Sequence, residues 1–233
     1  MAEITLTTII LVIITGILPT FLWVWFWFTQ DKETDNFGFL SFLYLLGMLA
    51  VPLLLPFRKI VFALGIPESD YLLVFAAAEE IVKVVIVAII AFRAKYIKKP
   101  TDYTLYLVTF ALGLSALENA LYLITPVMQQ NFTLVLFTGN LRFIGATLLH
   151  TVCVGIAGIL IGMSYYESRI VQWIHGIFGL GIAIGLHAVF NYFIIESTVL
   201  SLVGLWAVGC ILFLLYRKLQ KKHRYRETEY MHI

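Results

Sequence analysis

Seven stretches of this chain are long and apolar enough to cross a lipid bilayer, and little polar sequence separates them. The hydrocarbon core of a bilayer requires roughly 20 apolar residues per helix. Lipid also offers no partner for backbone polar groups, so only helices or closed barrels span it. The pattern predicts an all-α, polytopic transmembrane helix bundle with spans at Ile4–Phe28, Phe37–Phe57, Tyr71–Phe92, Tyr103–Thr125, Phe143–Met163, Trp173–Ile195 and Thr198–Tyr216.

The rest of the chain leaves no room for a water-soluble domain. Hydrophobic residues make up 61% and charged residues 13% of the sequence, whereas soluble domains are about half apolar and a quarter charged. We therefore predict one membrane domain over residues 1–233, ending in a basic tail at 217–233. A formal charge of +2 gives no reason to expect nucleic acid as a partner. Two shorter apolar segments, Ile60–Ile66 and Phe132–Phe137, are expected to lie in the membrane interface.

The basic residues predict the orientation, because Lys and Arg concentrate in cytoplasmic loops. Arg58 and Lys59 fall on the opposite side, with Arg142 at the mouth of the fifth span, where it is expected to snorkel to headgroups. The prediction is an N-terminus outside, a cytoplasmic C-terminus and a location in the cell membrane. Twelve basic residues fall on the predicted cytoplasmic side: Lys32, Arg93, Lys95, Lys98, Lys99, Arg169, Arg217, Lys218, Lys221, Lys222, Arg224 and Arg226.

Polar residues inside four of the spans form a layer at one depth. At a rise of 1.5 Å per residue, the ionisable groups lie roughly 10–14 Å below the predicted outer surface. Such groups are costly in hydrocarbon and usually face the bundle interior at a functional site. The layer consists of Glu79 and Glu80 on the third span, Glu118 and Asn119 on the fourth, His150 on the fifth, and His187 and Asn191 on the sixth; Lys83, on the third span, lies deeper.

Structural roles explain some of these residues singly. Glu79 and Lys83 are four residues apart and would neutralise each other, which leaves Glu80 unexplained. A single membrane histidine often acts only as a hydrogen-bond donor. Because four helices supply groups at one depth, a common functional site is the better interpretation.

Small residues predict how the helices pack. GxxxG spacing occurs on the fifth span, at Gly158 and Gly162, and on the sixth, at Gly181 and Gly185. We expect these glycines to pack the two helices closely. The two cysteines, Cys153 and Cys210, have no metal-binding spacing and are expected to be small core residues.

The layer fits two routes to peptide-bond hydrolysis. In the first, Glu80, Glu118, His150 and His187 bind Zn²⁺ and leave one position open for water. In the second, a buried glutamate acts as general base without metal, and histidine and asparagine side chains of the layer donate hydrogen bonds to the oxyanion. The residue types do not choose between the metal and the metal-free route.

The motifs resemble the PrsW family of intramembrane proteases, within the wider group that includes the type II CAAX prenyl endopeptidases. The resemblance rests on Glu79-Glu80-x-x-Lys83, the stretch 111–124 around Glu118-Asn119, His150, and His187-x-x-x-Asn191. It covers roughly residues 71–195, which excludes the first two spans and the last.

The resemblance implies a protease that cuts single-span or membrane-anchored proteins, as in first-site cleavage of a membrane anti-sigma factor. PrsW proteins are described as metalloproteases, whereas the CAAX relatives are similar to metal-independent glutamate proteases. Carried over from the latter, Glu79 would be the base, and His187 with Asn191 would be the oxyanion donors. Those relatives have a histidine where this chain has Glu118, so the resemblance assigns Glu118 no role.

Two other functions fit a buried polar layer. Related chains include the non-catalytic scaffold subunit of γ-secretase, which keeps membrane histidines but lacks the glutamate pair. A proton-coupled transporter would string ionisable groups along a path through the membrane, whereas here they gather at one depth. Retention of Glu79 and Glu80 favours an enzyme.

Overall fold

A computed structural model describes residues 6–30, 37–92 and 96–231. Within these ranges the backbone is almost entirely helical. Three of the seven long helices contain or end in π-helical turns, at Ile13–Ile17, Ala88–Phe92 and Arg142–Ala146. The helices are α1 Leu6–Gln30, α2 Phe37–Ala63, α3 Tyr71–Val87, α4 Asp102–Met128, α5 Phe132–Met163, α6 Arg169–Glu196 and α7 Thr198–Met231.

All of these helices except α3 are long and apolar enough to cross a membrane. The fold is therefore the expected polytopic transmembrane helix bundle. Helix α3 has 17 residues and continues through the five residues Ala88–Phe92, but it carries three charged side chains. The seventh span and the orientation of the termini stay predictions. Of the basic residues behind that orientation, Lys32, Arg93 and Lys95 lie outside the described residues.

The two short apolar segments are parts of long helices, and their placement in the membrane interface stays a prediction. Helix α2 continues through Ile60 to Ala63, and the chain turns at Gly65, whose φ is +66°. Helix α5 already begins at Phe132, where the Asn131 side chain caps it by accepting a hydrogen bond from the Leu134 backbone N–H at 3.0 Å.

Helix α4 is the centre of the bundle. It packs against α1, α2, α3 and α5, and its first half, from Asp102 to Ala116, is buried on every side. The closest approach is to α2. A Cβ added to Gly113 would meet the Tyr44 carbonyl, and one added to Gly47 would meet the Phe110 carbonyl. Glycine at these two positions lets the backbones touch.

We therefore expect Gly113→Ala to destabilise the bundle, because its methyl group would collide with backbone that cannot move aside. The expected cost is about 1–3 kcal/mol or more, measured as thermal unfolding in detergent. Gly185→Ala is the matched control, since nothing lies within 4 Å of a Cβ there. Equal stability of the two variants would contradict the close α2–α4 contact.

The GxxxG motifs do not pack α5 against α6, so that prediction is wrong. Gly158 and Gly162 face the start of α4, where added Cβ atoms would meet the backbone of Thr104 and of Pro100. Gly181 and Gly185 have open space around them. The α5–α6 approach instead uses Gly179, whose Cβ would lie 2.8 Å from the Ala157 Cα.

The cysteines separate into two environments. Cys153 is buried as expected, but Cys210 is exposed on α7, so its prediction as a core residue is wrong. The basic tail continues α7 as helix to Met231. It packs against the α5–α6 connection, where the Tyr166 hydroxyl lies 2.6 Å from His223 Nδ1.

Candidate active site

Helix α3 directs its charged side chains into the bundle. Glu79 and Glu80 are 7% and 0% exposed, and Lys83 is fully buried. The Lys83 ammonium donates to Glu80 Oε1 at 2.6 Å and lies 2.8 Å from His150 Nδ1. Lys83 is thus paired with a carboxylate, as its cost in a membrane requires. Its partner is Glu80, one turn away, and not Glu79.

His187 of α6 lies between the two glutamates. Its Nδ1 is 2.6 Å from Glu80 Oε1, and its Nε2 is 3.7 Å from Glu79 Oε2. Because a carboxylate can only accept, the first contact places the proton on Nδ1. The lone pair of Nε2 then points toward Glu79. This arrangement, in which a carboxylate fixes the tautomer of a histidine, is typical of metal-binding and catalytic histidines.

His150 of α5 completes the group. Its ring centroid is 5.3 Å from that of His187. With Lys83 donating to Nδ1, the other nitrogen carries the proton, and His150 Nε2 donates to Glu118 Oε2 at 3.1 Å. Four helices therefore bring Glu79, Glu80, Glu118, His150 and His187 together, as the shared depth predicted.

Each acid of the layer lies beside a cation within the described chain. The shortest distances are 2.6 Å for Glu80 to Lys83, 3.5 Å for Glu79 to Arg58 and 3.6 Å for Glu118 to Arg142. Charges buried in a low-dielectric interior are tolerated when they are paired. With both histidines neutral, the three acids and three cations balance.

The Arg142 side chain turns into the bundle, toward Glu118 and Asn119, so its predicted snorkelling is wrong. Its side chain is 15% exposed. The guanidinium Nε donates to Asn119 Oδ1 at 2.6 Å. Arg58 likewise joins the layer from the end of α2 through its contact with Glu79. The sequence predicts both arginines at the outer surface, and no spacing in it indicates their pairing with the acids of the layer.

Asn191 differs from the other predicted site residues. It is half-buried on α6, and its side chain makes no hydrogen bond to the described part of the chain. Its predicted role as an oxyanion donor therefore stays a prediction. Asn119 is better integrated: it donates to Thr147 Oγ1 at 3.0 Å, and Ser115 donates to the same hydroxyl at 3.1 Å.

The residues that could hold a metal differ from the expected set. Ligand atoms of Glu79, His150 and His187 lie within 4.8 Å of one another, as do those of Glu80, Cys153 and His187. The first group fits Zn²⁺, which binds imidazole and carboxylate. His187 Nε2 and Glu79 Oε2 face each other and are ready to ligate. His150 would first have to release Lys83 or Glu118, because both its ring nitrogens are engaged.

A family model for PrsW family intramembrane metalloproteases matches residues 35–216. The chain belongs to this family. The match begins before α2 and extends through most of the α7 span, so it covers more of the chain than the motifs from α3 to α6. Comparisons with curated proteins and with solved structures found no match. This PrsW-family chain is an integral, multi-pass membrane protein and an intramembrane protease.

Proposed function

We propose that the buried layer on α3, α4, α5 and α6 is the active site, and that it hydrolyses a peptide bond of a membrane-anchored protein. The observation that carries this proposal is the position of His187 between two glutamates. Glu80 fixes the ring through Nδ1, and Nε2 faces the Glu79 carboxylate. A scaffold needs buried polar groups for packing, but it does not need a histidine with a free lone pair beside a second carboxylate.

Without a bound metal, each residue of the layer would have a distinct task. Glu79 accepts the proton of the attacking water, since its carboxylate has no stronger partner than Arg58 at 3.5 Å. Glu80 and Lys83 form the tight pair that holds His187 and His150 in place. His187 faces the reacting centre, with Asn191 one turn further along α6 as a second donor.

The same residues would hold the metal that the family description implies. Glu79, His150 and His187 would be its ligands, with Glu80 supporting His187 from behind. Bound Zn²⁺ would supply Lewis-acid polarisation and a water of lowered pKa. The metal-free glutamate route uses Glu79 as base with His187 and Asn191 as donors, and it remains the alternative within the same site.

We propose a single-span protein of the cell membrane as the substrate, cut near the outer face. The polar layer lies nearer the predicted outer ends of its helices, about 8 residues or roughly 12 Å from the start of α3 for Glu79. A membrane regulator such as an anti-sigma factor is a substrate of this class. The scaffold alternative predicts the same buried layer with no cleavage by the purified protein.

Reconstitution tests the proposal. The purified protein is placed in liposomes with a library of single-span segments carrying tags on both sides, and products are identified by mass spectrometry. We expect cleavage in the outer half of at least one span, and no products in liposomes without the protein. Intact segments throughout, from protein shown to be folded, would favour the scaffold.

Removing metal distinguishes the two catalytic routes. We expect a strong chelator to abolish cleavage and Zn²⁺ to restore it, and we expect metal analysis to find bound ion that is lost in His187→Ala. The reason is that His187 Nε2 is the ring nitrogen free to ligate. Full activity in protein shown to contain no metal would establish the glutamate route.

A further inference from the structure

Arg142 makes three different contacts with one short stretch of α4. Its Nε donates to Asn119 Oδ1 at 2.6 Å, and its Nη2 lies 3.6 Å from Glu118 Oε2. The guanidinium carbon stands 3.9 Å above the centre of the Tyr122 ring. A planar guanidinium can donate a hydrogen bond, pair with a carboxylate and stack on an aromatic ring at the same time, and a lysine ammonium cannot. The Arg142 side chain thus contacts Glu118, Asn119 and Tyr122 on one surface of α4.

The two residues held by Arg142 both reach further into the site. Glu118 Oε2, the oxygen beside Arg142, is also the oxygen that accepts from His150 Nε2 at 3.1 Å. The Asn119 amide donates a hydrogen bond to Thr147 Oγ1, and Thr147 lies one turn before His150 on the same helix. Arg142 therefore fixes, through two chains of contacts, the face of α5 that carries His150.

The backbone at Arg142 is also unusual. Residues Arg142–Ala146 form a π-helical segment inside α5. Such wide turns occur frequently at functional sites, because they change the direction of a side chain relative to a regular helix. Here the segment begins at Arg142 and ends four residues before His150, so it affects the angle between the two side chains.

We propose that Arg142 is a positioning residue of this protease: it holds Glu118 so that the carboxylate fixes the ring of His150. The proposal rests on the proposed function for its kinetic consequence, but the contact itself does not depend on activity. Arg142 touches no reacting atom in this account. Its effect on catalysis passes through Glu118 and His150.

The kinetic test compares Arg142→Gln and Arg142→Lys with wild-type protein on a cleaved substrate. We expect Arg142→Gln to lower kcat by about 10–100-fold, the usual effect of removing a residue that orients a site ligand, with KM within about twofold. Arg142→Lys should recover part of kcat, because lysine restores the positive charge but not the planar set of guanidinium donors. Lys59→Gln, which removes an exposed cation at the same end of the bundle, should leave both constants unchanged.

A double mutant separates positioning from a general loss of structure. If Arg142 acts through Glu118, adding Arg142→Gln to Glu118→Gln should lower kcat by less than about twofold more. Multiplied effects of the two single changes would overturn the proposal. So would a wild-type kcat for Arg142→Gln, or a loss seen only in KM or in thermal stability.

Nitrogen NMR of histidine-labelled protein gives a readout that needs no substrate. Arg142→Gln should shift the ring resonances of His150 and leave those of His187 near their wild-type positions, because Glu80 still holds His187. Unchanged His150 resonances would overturn the proposal even if the protein cleaves substrate. Failure of the wild type to cleave anything would count against the proposed function alone, while the NMR result would still decide the role of Arg142.

Discussion

Replacing Glu79 by glutamine is expected to lower the cleavage rate by at least about a hundredfold, whether Glu79 acts as the general base or as a ligand of bound Zn²⁺. Glutamine has nearly the volume of glutamate, so it fills the same space beside His187. It lacks the basic oxygen that lies 3.7 Å from His187 Nε2. The variant should remain folded and inserted, because the contact it weakens with Arg58 is partly exposed: the Arg58 side chain is 39% accessible.

Glu68→Gln is the matched control for this experiment. Glu68 is an exposed acid just before α3, near the same end of the bundle and outside the layer. We expect wild-type cleavage from this control and wild-type thermal stability from both proteins. Wild-type cleavage by Glu79→Gln would remove the proposed base and leave the scaffold as the better explanation of the layer.

Replacing Lys83 by methionine is expected to be the most destabilising single change in the site. The fully buried Glu80 would lose its ammonium partner, and breaking a buried ion pair from one side costs about 3–5 kcal/mol. His150 would also lose the donor at 2.8 Å from Nδ1. Unfolding in detergent as a function of temperature or denaturant would measure the cost.

The double variant Glu80→Gln/Lys83→Met distinguishes lost pairing from lost packing. It removes both charges, so it should recover much of the stability lost in Lys83→Met, although cleavage should stay low because His187 no longer has a charged partner. Lys98→Met, at an exposed position in the α3–α4 connection, should be neutral. A double variant no more stable than Lys83→Met would contradict the Glu80–Lys83 pairing.

The helical membrane fold and the layer could be predicted because both depend on distance along the chain. Apolar length gives the spans, and rise per residue gives the depth of Glu79, Glu118, His150 and His187. These groups do meet in the structure. Their depth agrees whichever way the bundle is oriented, because adjacent helices alternate in direction.

The side-chain partners could not be predicted, because they depend on how each helix is rotated about its axis. Spacing allowed Lys83 to pair with Glu79 or Glu80, which are about 100° apart around the helix. The structure shows that Lys83 pairs with Glu80, whose Oε1 atom is also contacted by His187 of α6. The same applies to Arg142, whose position at the predicted start of the fifth span fits headgroups as well as a turn toward Asn119.

The sequence also could not predict which helices pack closely against each other. A GxxxG pattern shows that a helix has a narrow face but not which neighbour lies against it. Gly158 and Gly162 face α4, whereas Gly181 and Gly185 face no described atom within 4 Å. The tightest contacts, of Gly47 with the Phe110 carbonyl and of Gly113 with the Tyr44 carbonyl, involve single glycines on two different helices and no repeated spacing.

Hydrolysis in water enriched in ¹⁸O tests whether the buried layer cleaves peptide bonds. Purified protein in liposomes is given a cleavable single-span segment, and the product ends are analysed by mass spectrometry. We expect one ¹⁸O atom in the new carboxyl group, a cut in the outer half of the span, and no such product from Glu79→Gln protein. Labelled product formed at equal rates by wild-type and Glu79→Gln protein, or no product from folded wild type with any segment, would contradict this expectation.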